Sequence, residues 1–140
     1  HRYCKKLYLL KAQSHDATQE FFWDGRQPLR IPALQQNLIF QMVKNGGLNP
    51  EIAGKNLCVR FRQGGEKIKP VGQKHTRTLK NLLQQQSIPP WQRERIPLLY
   101  LNDELIAVCG YWLADAYAVK TGDGLLPVLV DEHSNLIAVP

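Results

Sequence analysis

The chain lacks most of what would mark it for a membrane, for secretion or for metal chemistry. No run of about 18 apolar residues occurs, which excludes a membrane-spanning helix. Only 3 cysteines stand among the 140 residues, Cys4, Cys58 and Cys109. An odd number so widely spaced makes neither a disulfide framework nor the close Cys/His pairs of a zinc site. Three free or buried thiols in a reducing cytoplasm are therefore expected. The opening His1-Arg2-Tyr3-Cys4 has no Met, no apolar core region and no cleavage site. No signal peptide is expected, and the chain reads as a piece cut from a longer protein. The 4 histidines are scattered, and no nucleophile–base set accompanies them, so no catalytic residue and no metal ligand is assigned.

What is present is an ordinary globular composition with uneven charge. Hydrophobic residues make up 44% and charged ones 21%, far from the disordered range, and the length suits one core with room for an appendage. The net charge of +6 conceals a basic block. Residues 1–11 carry +4 and residues 12–54 carry −1. Residues 55–95 carry +8, from Lys55, Arg60, Arg62, Lys67, Lys69, Lys74, Arg77, Lys80, Arg93 and Arg95 against Glu66 and Glu94. Residues 96–140 carry −5. Such a block is either the electrostatic footprint of a polyanion site or a solvated face that binds nothing specific.

Local patterns point to an α+β fold, mainly antiparallel or mixed β-sheet with one or two short helices. Residues 2–11 suit a strand, and residues 14–18 a loop. Phe21-Phe22-Trp23 is an apolar patch ending at the Asp24-Gly25 turn, and reads as core or domain contact. Leu29 to Ile31 is extended before Pro32. Residues 33–45 fit a helical stripe or a strand, with the strand favoured for 37–43. Val59 and Phe61 alternate with Arg60 and Arg62, which puts the two arginines on the face opposite the core. Lys67 and Lys69, across Gly64-Gly65, complete either a basic stripe on a hairpin or a charged face that discourages edge pairing. Leu79, Leu82 and Leu83 mark a helix over 76–86, capped by Thr76 or Thr78. Pro90 suits the first position of a helical turn that includes Trp91, Arg93 and Arg95. Residues 98–108 read as a hairpin turning at Asn102-Asp103, and Tyr111 to Leu113 extends its sheet. Leu125–Val130 and Leu136–Val139 suggest a final pair of strands.

The ordered run Gly72-Gln73-Lys74-His75-Thr76-Arg77-Thr78-Leu79-Lys80, then Pro89-Pro90-Trp91-Gln92-Arg93, then Pro97-Leu98-Leu99-Tyr100, then Leu105 to Gly110, resembles the C-terminal domain of bacterial tRNA(Ile)-lysidine synthases. The signature covers residues 58–112. The resemblance implies two parts: 1–13, a strand or linker from a preceding middle domain, and 14–120, a C-terminal tRNA-binding domain; residues 121–140 carry no family signal, and their strand patterns suggest a C-terminal extension forming a β-hairpin. It implies a cytoplasmic parent enzyme that uses ATP, with Mg, to activate the first anticodon cytidine of isoleucine tRNA with a CAU anticodon, then joins lysine to it. Whether that parent is a homodimer stays open.

The phosphate loop Ser-Gly-Gly-x-Asp-Ser of the family's N-terminal domain is absent here, so the fragment carries no cofactor and is not catalytic alone. Its implied task is to hold the tRNA body, chiefly near the acceptor stem, through Arg60, Arg62, Lys67, Lys69, Lys74, Arg77, Lys80, Arg93 and Arg95. Arg77 and Lys80 are expected to straddle the first helical turn, where an anion is favoured. The family loop more often reads Gly-Arg-x-Gly-x-Arg; here Gln73 replaces the first Arg, and His75 sits where Gly is common. Trp91 either stacks on a base or terminal ribose or plugs the core beneath the helix, the second being favoured. The competing function is a protein-interaction domain, motivated by Phe21-Phe22-Trp23 and the acidic C-terminal region.

Overall fold

The computed structural model of the chain describes residues 19–131. Its strands are β1 (Glu20–Trp23), β2 (Leu29–Ile31), β3 (Gln36–Val43), β4 (Leu57–Arg60), β5 (Lys67–Ile68) and β6 (Arg77–Thr78). Two helices follow, α1 (Leu79–Gln85) and α2 (Pro90–Arg93), and then β7 (Leu98–Leu101), β8 (Glu104–Val108), β9 (Trp112–Leu113) and β10 (Gly124–Asp131). All the pairings are antiparallel. The α+β expectation holds, in its antiparallel form.

The main sheet runs β1-β4-β7-β8-β9. All four residues of β7 are buried, so its sequence Leu98-Leu99-Tyr100-Leu101 is a continuous apolar run instead of an alternation. Asn102 and Asp103 have φ of 52° and 72°, the left-handed pair that a two-residue hairpin turn needs, and short polar side chains tolerate it. In β4 and just beyond, Val59 and Phe61 are buried to 0% and 1% exposure, as their alternation requires. Leu79, Leu82 and Leu83 turn one stripe of α1 into the same core. Burying each such side chain contributes about 1.5–3 kcal/mol.

A second sheet, β10-β3-β2, packs beside the first. Phe40 of β3 meets Trp23 of β1 with ring centroids 4.6 Å apart, and the Trp23 indole N–H donates to Gln27 O at 2.7 Å. The apolar triplet therefore divides: Trp23 is core, while Phe22 faces outward, 55% exposed. The strand expected at Leu125–Val130 is β10, and it pairs with β3 over eight residues, from Gly124↔Val43 to Asp131↔Gln36. The stretches 2–11, 14–18 and 136–139 lie outside the described residues.

Three local expectations change. The Gly64-Gly65 turn does not fold β5 back on β4; β4 pairs with β1 and β7, and β5 pairs with β6. Helix α1 begins at Leu79 with Thr78 as its cap, because residues 77–78 are committed to the β5 ladder. Cys109 is a free, buried thiol, but Cys58 is held in a disulfide instead of standing free.

Candidate nucleic-acid interface

Among the described residues, positive charge concentrates in the β5-β6-α1 unit. Residues 67–85 contain Lys67, Lys69, Lys74, Arg77 and Lys80 and no acid. The register sets Lys67 opposite Thr78 and Ile68 opposite Arg77. Facing residues of an antiparallel pair share one side of the ladder. Arg77 thus accompanies buried Ile68, while Lys67 and Thr78 share the exposed side. Thr78 accepts a bond from Asn81 N at 3.2 Å and starts the helix, and Lys80 follows on its exposed face. Lys74 lies in the exposed loop before β6. Lys67, Lys74 and Lys80 make no ion pair among the described residues.

Arg77 is placed differently. It precedes the cap of α1 instead of lying in the first turn. Its guanidinium donates to Gln73 Oε1 at 3.2 Å, Asn81 Oδ1 at 3.1 Å and Gln85 Oε1 at 2.9 Å. All three acceptors are neutral amides, so the cation is held in one orientation with its charge uncompensated among the described residues. An arginine at position 73 would put a second cation beside Arg77; Gln73 supplies an acceptor instead. His75 is not among the residues with left-handed backbone, so a glycine is not required there.

The remaining cations are more firmly engaged. Arg60 pairs with Glu20 at 3.5 Å and Asp103 at 3.2 Å, and its Cζ lies 4.1 Å from the Tyr100 ring centroid. Two acids and a ring face hold it as part of the sheet. The Nε of Arg62 is buried with no hydrogen-bond partner among the described residues. Lys69 lies 4.0 Å from Asp115, which also takes Lys120 at 3.8 Å. Arg93 Nε donates to Ile88 O at 2.7 Å, and Arg95 Nη2 to Ala33 O at 3.4 Å. Those bonds to backbone carbonyls fix two further guanidinium groups without neutralising them.

The sequence missed the amide acceptors around Arg77, although Gln73, Asn81 and Gln85 recur at four-residue intervals around it. It also misjudged Trp91. The ring does not plug the core; it is 72% exposed, on a four-residue helix with no buried residue.

The glycine pairs do not fit a nucleotide triphosphate. In the Gly64-Gly65 loop, the Glu66 carboxylate already accepts from Gln63 N at 2.7 Å and Gly64 N at 3.0 Å. That negative group occupies the donors a phosphate would need. At Gly46-Gly47, Gly46 N donates to Gly122 O at 3.2 Å, and a Cβ on Gly47 would lie 2.8 Å from Gly124 C and Leu125 N. No cluster of three or more His, Cys, Asp or Glu suited to a metal occurs among the described residues. No helix among them is long and apolar enough to cross a membrane.

An antiparallel α+β domain with a cationic β5-β6-α1 face is the class that the fold and the site define. The model of the family described as "TilS substrate C-terminal domain" matches residues 57–130, and the chain belongs to that family. It is 43% identical over 120 residues to a tRNA(Ile)-lysidine synthase of Coxiella burnetii, covering 85% of this chain and 27% of that protein. With a tRNA(Ile)-lysidine synthase of Legionella pneumophila strain Paris it shares 38% over 117 residues, covering 83% of this chain and 26% of that protein. The chain thus spans about a quarter of the length of these relatives, 27% and 26%. A solved structure titled "Crystal structure of TILS C-terminal domain" superposes with a TM-score of 0.60 at 16% identity, covering 81% of this chain and 98% of that one. At that identity the likeness speaks for the fold alone.

Proposed function

We propose that the chain is the tRNA-docking C-terminal part of a tRNA(Ile)-lysidine synthase. It holds the body of isoleucine tRNA with the CAU anticodon, chiefly near the acceptor stem. A catalytic domain outside this chain uses ATP, with Mg, to attach lysine to the first anticodon cytidine. The observation that carries the reading is the acid-free run 67–85, in which Lys67, Lys74 and Lys80 are exposed without acid partners among the described residues and Arg77 is fixed by neutral amides. Exposed cations around a rigid turn recognise the phosphate backbone, which positions an RNA without reading its sequence. On this reading the chain works in the cytoplasm and has no catalytic residue or cofactor of its own.

Titrating the chain with full-length isoleucine tRNA, an acceptor minihelix and an anticodon stem-loop tests it. The minihelix should retain most of the affinity of the full tRNA, and the stem-loop little. Stem-loop binding as tight as that of the minihelix, or no binding to any of the three, refutes the acceptor-stem reading.

A second reading, contact with the catalytic domain or a second subunit, has one observation in its favour: Phe22 stands 55% exposed on β1, at the edge of the main sheet. Light scattering of the chain separates the two. A monomer that binds tRNA tightly favours docking to RNA.

A further inference from the structure

Trp91 is the most exposed large apolar side chain among the described residues, at 72%. An indole left in water gives up the stabilisation that its burial would supply, and here it is presented by a rigid support. Pro90 fixes φ at the first position of α2. Gln92 N and Arg93 N both donate to Pro89 O, at 3.0 and 3.2 Å. Arg93 Nε ties the turn to Ile88 O at 2.7 Å, and Arg95 Nη2 ties it to Ala33 O at 3.4 Å. Ile88 and Ile96, 6% and 7% exposed, root its two ends in the core. No aromatic ring stacks on the indole among the described residues.

The surroundings decide between partners. A protein contact would build an apolar patch around such a residue. The exposed chain neighbours of Trp91 are instead Pro90, Gln92, Glu94 and Arg95. Arg93 and Arg95 are oriented by carbonyl oxygens and keep their charge. An exposed aromatic ring followed two and four residues later by fixed guanidinium groups suits a nucleobase flanked by its phosphates. A base inside an A-form stem shows no face to a protein, so the base must be unpaired.

We infer that Trp91 is a stacking platform for an unpaired base of the tRNA, at the single-stranded 3′ end adjoining the acceptor stem, with Arg93 and Arg95 taking the flanking phosphates. The inference rests on the docking function proposed above. The 140-residue chain and its Trp91→Ala and Trp91→Phe variants are titrated with intact isoleucine tRNA and with the same tRNA trimmed of its unpaired 3′ nucleotides. Trp91→Ala should weaken binding to intact tRNA by about 5- to 150-fold, the range for one base–aromatic stack, while Trp91→Phe keeps most of the affinity. On trimmed tRNA the three proteins should bind alike. Equal losses on both RNAs, or no loss on the intact one, overturn the stacking role. Unchanged RNA binding with lost association to the catalytic domain reassigns Trp91 to a protein contact. Failure of the wild-type chain to bind either RNA removes the docking function itself, and the platform with it.

Discussion

Arg77 Nη2 donates to Gln85 Oε1 at 2.9 Å, so one guanidinium reaches from the residue before the α1 cap to the last residue of the helix. A seven-residue helix is too short to hold itself. It depends on its Leu79, Leu82 and Leu83 stripe and on this brace. Replacing Arg77 by Ala should therefore cost about 1–2 kcal/mol of stability in urea denaturation, from hydrogen bonds to a charged donor reduced by their exposure. Lys80→Ala, on the exposed face, should stay within about 0.5 kcal/mol of wild type. If the two variants unfold alike, the brace contributes nothing.

Affinity should divide among the same residues in another way. Lys67, Lys74 and Lys80 make no ion pair among the described residues, so a bound phosphate replaces only their counterions. Removing the cation from one phosphate lowers the slope of log affinity against log salt by about 0.9 on duplex RNA, taking the duplex DNA value as a guide. The triple Ala variant should bind isoleucine tRNA with a slope smaller by about 2–3. Lys69→Ala should change it less, because Asp115 already sits 4.0 Å from that ammonium. An unaltered slope in the triple variant would place the phosphate contacts elsewhere.

Much of the fold is written locally, and much of the site is not. Val59/Phe61 alternation, the Leu79-Leu82-Leu83 stripe and the Asn102-Asp103 turn each declare their element within a few residues, because period and turn chemistry are local properties. The pairing of β10 with β3 has no such signal. Nor does the neutralisation of Arg60 by Glu20 and Asp103, which arrive from different parts of the chain. Sequence locates the basic block but cannot separate charges that are spent from charges that remain available. Trp91 shows the limit in another form: apolar side chains are common on surfaces, so their presence in a sequence does not say which way they face.

Gly124 tests the seam between the two ends of the second sheet. A Cβ there would run into the Gly46 carbonyl oxygen and lie 2.8 Å from Leu48 O. Backbone atoms on both sides, bonded as Leu48 N to Leu125 O and Leu125 N to Leu48 O, cannot give way cheaply. Gly124→Ala should lose about 3 kcal/mol, the upper end of overpacking costs. Gly46→Ala, whose Cβ meets nothing nearer than Lys44 O at 3.9 Å, is the control and should change the melting temperature little. Similar melting of the two variants would mean that the strands do not approach as closely as described.

Alkaline pH should loosen the fold through Tyr100. Its phenol is 9% exposed beneath Arg60. Burial first, then the carboxylates of Glu66 and Asp103, push its pKa up to about 12 against the partial opposition of Arg60. Burial likewise pushes the Cys109 thiol up to about 12. In both cases the native state keeps a proton that the unfolded chain releases earlier. Their stabilisation is therefore complete below the unfolded pKa values and is lost as pH rises towards 12. For Tyr100 the loss amounts to about 2–3 kcal/mol. Tyr100→Phe has no proton to lose and should show a shallower fall in stability over that range, measured by urea denaturation at stepped pH. The ultraviolet phenolate signal of the wild type should include one late component, absent in the variant. An equally steep alkaline fall in Tyr100→Phe would show that the buried phenol is not what couples folding to pH.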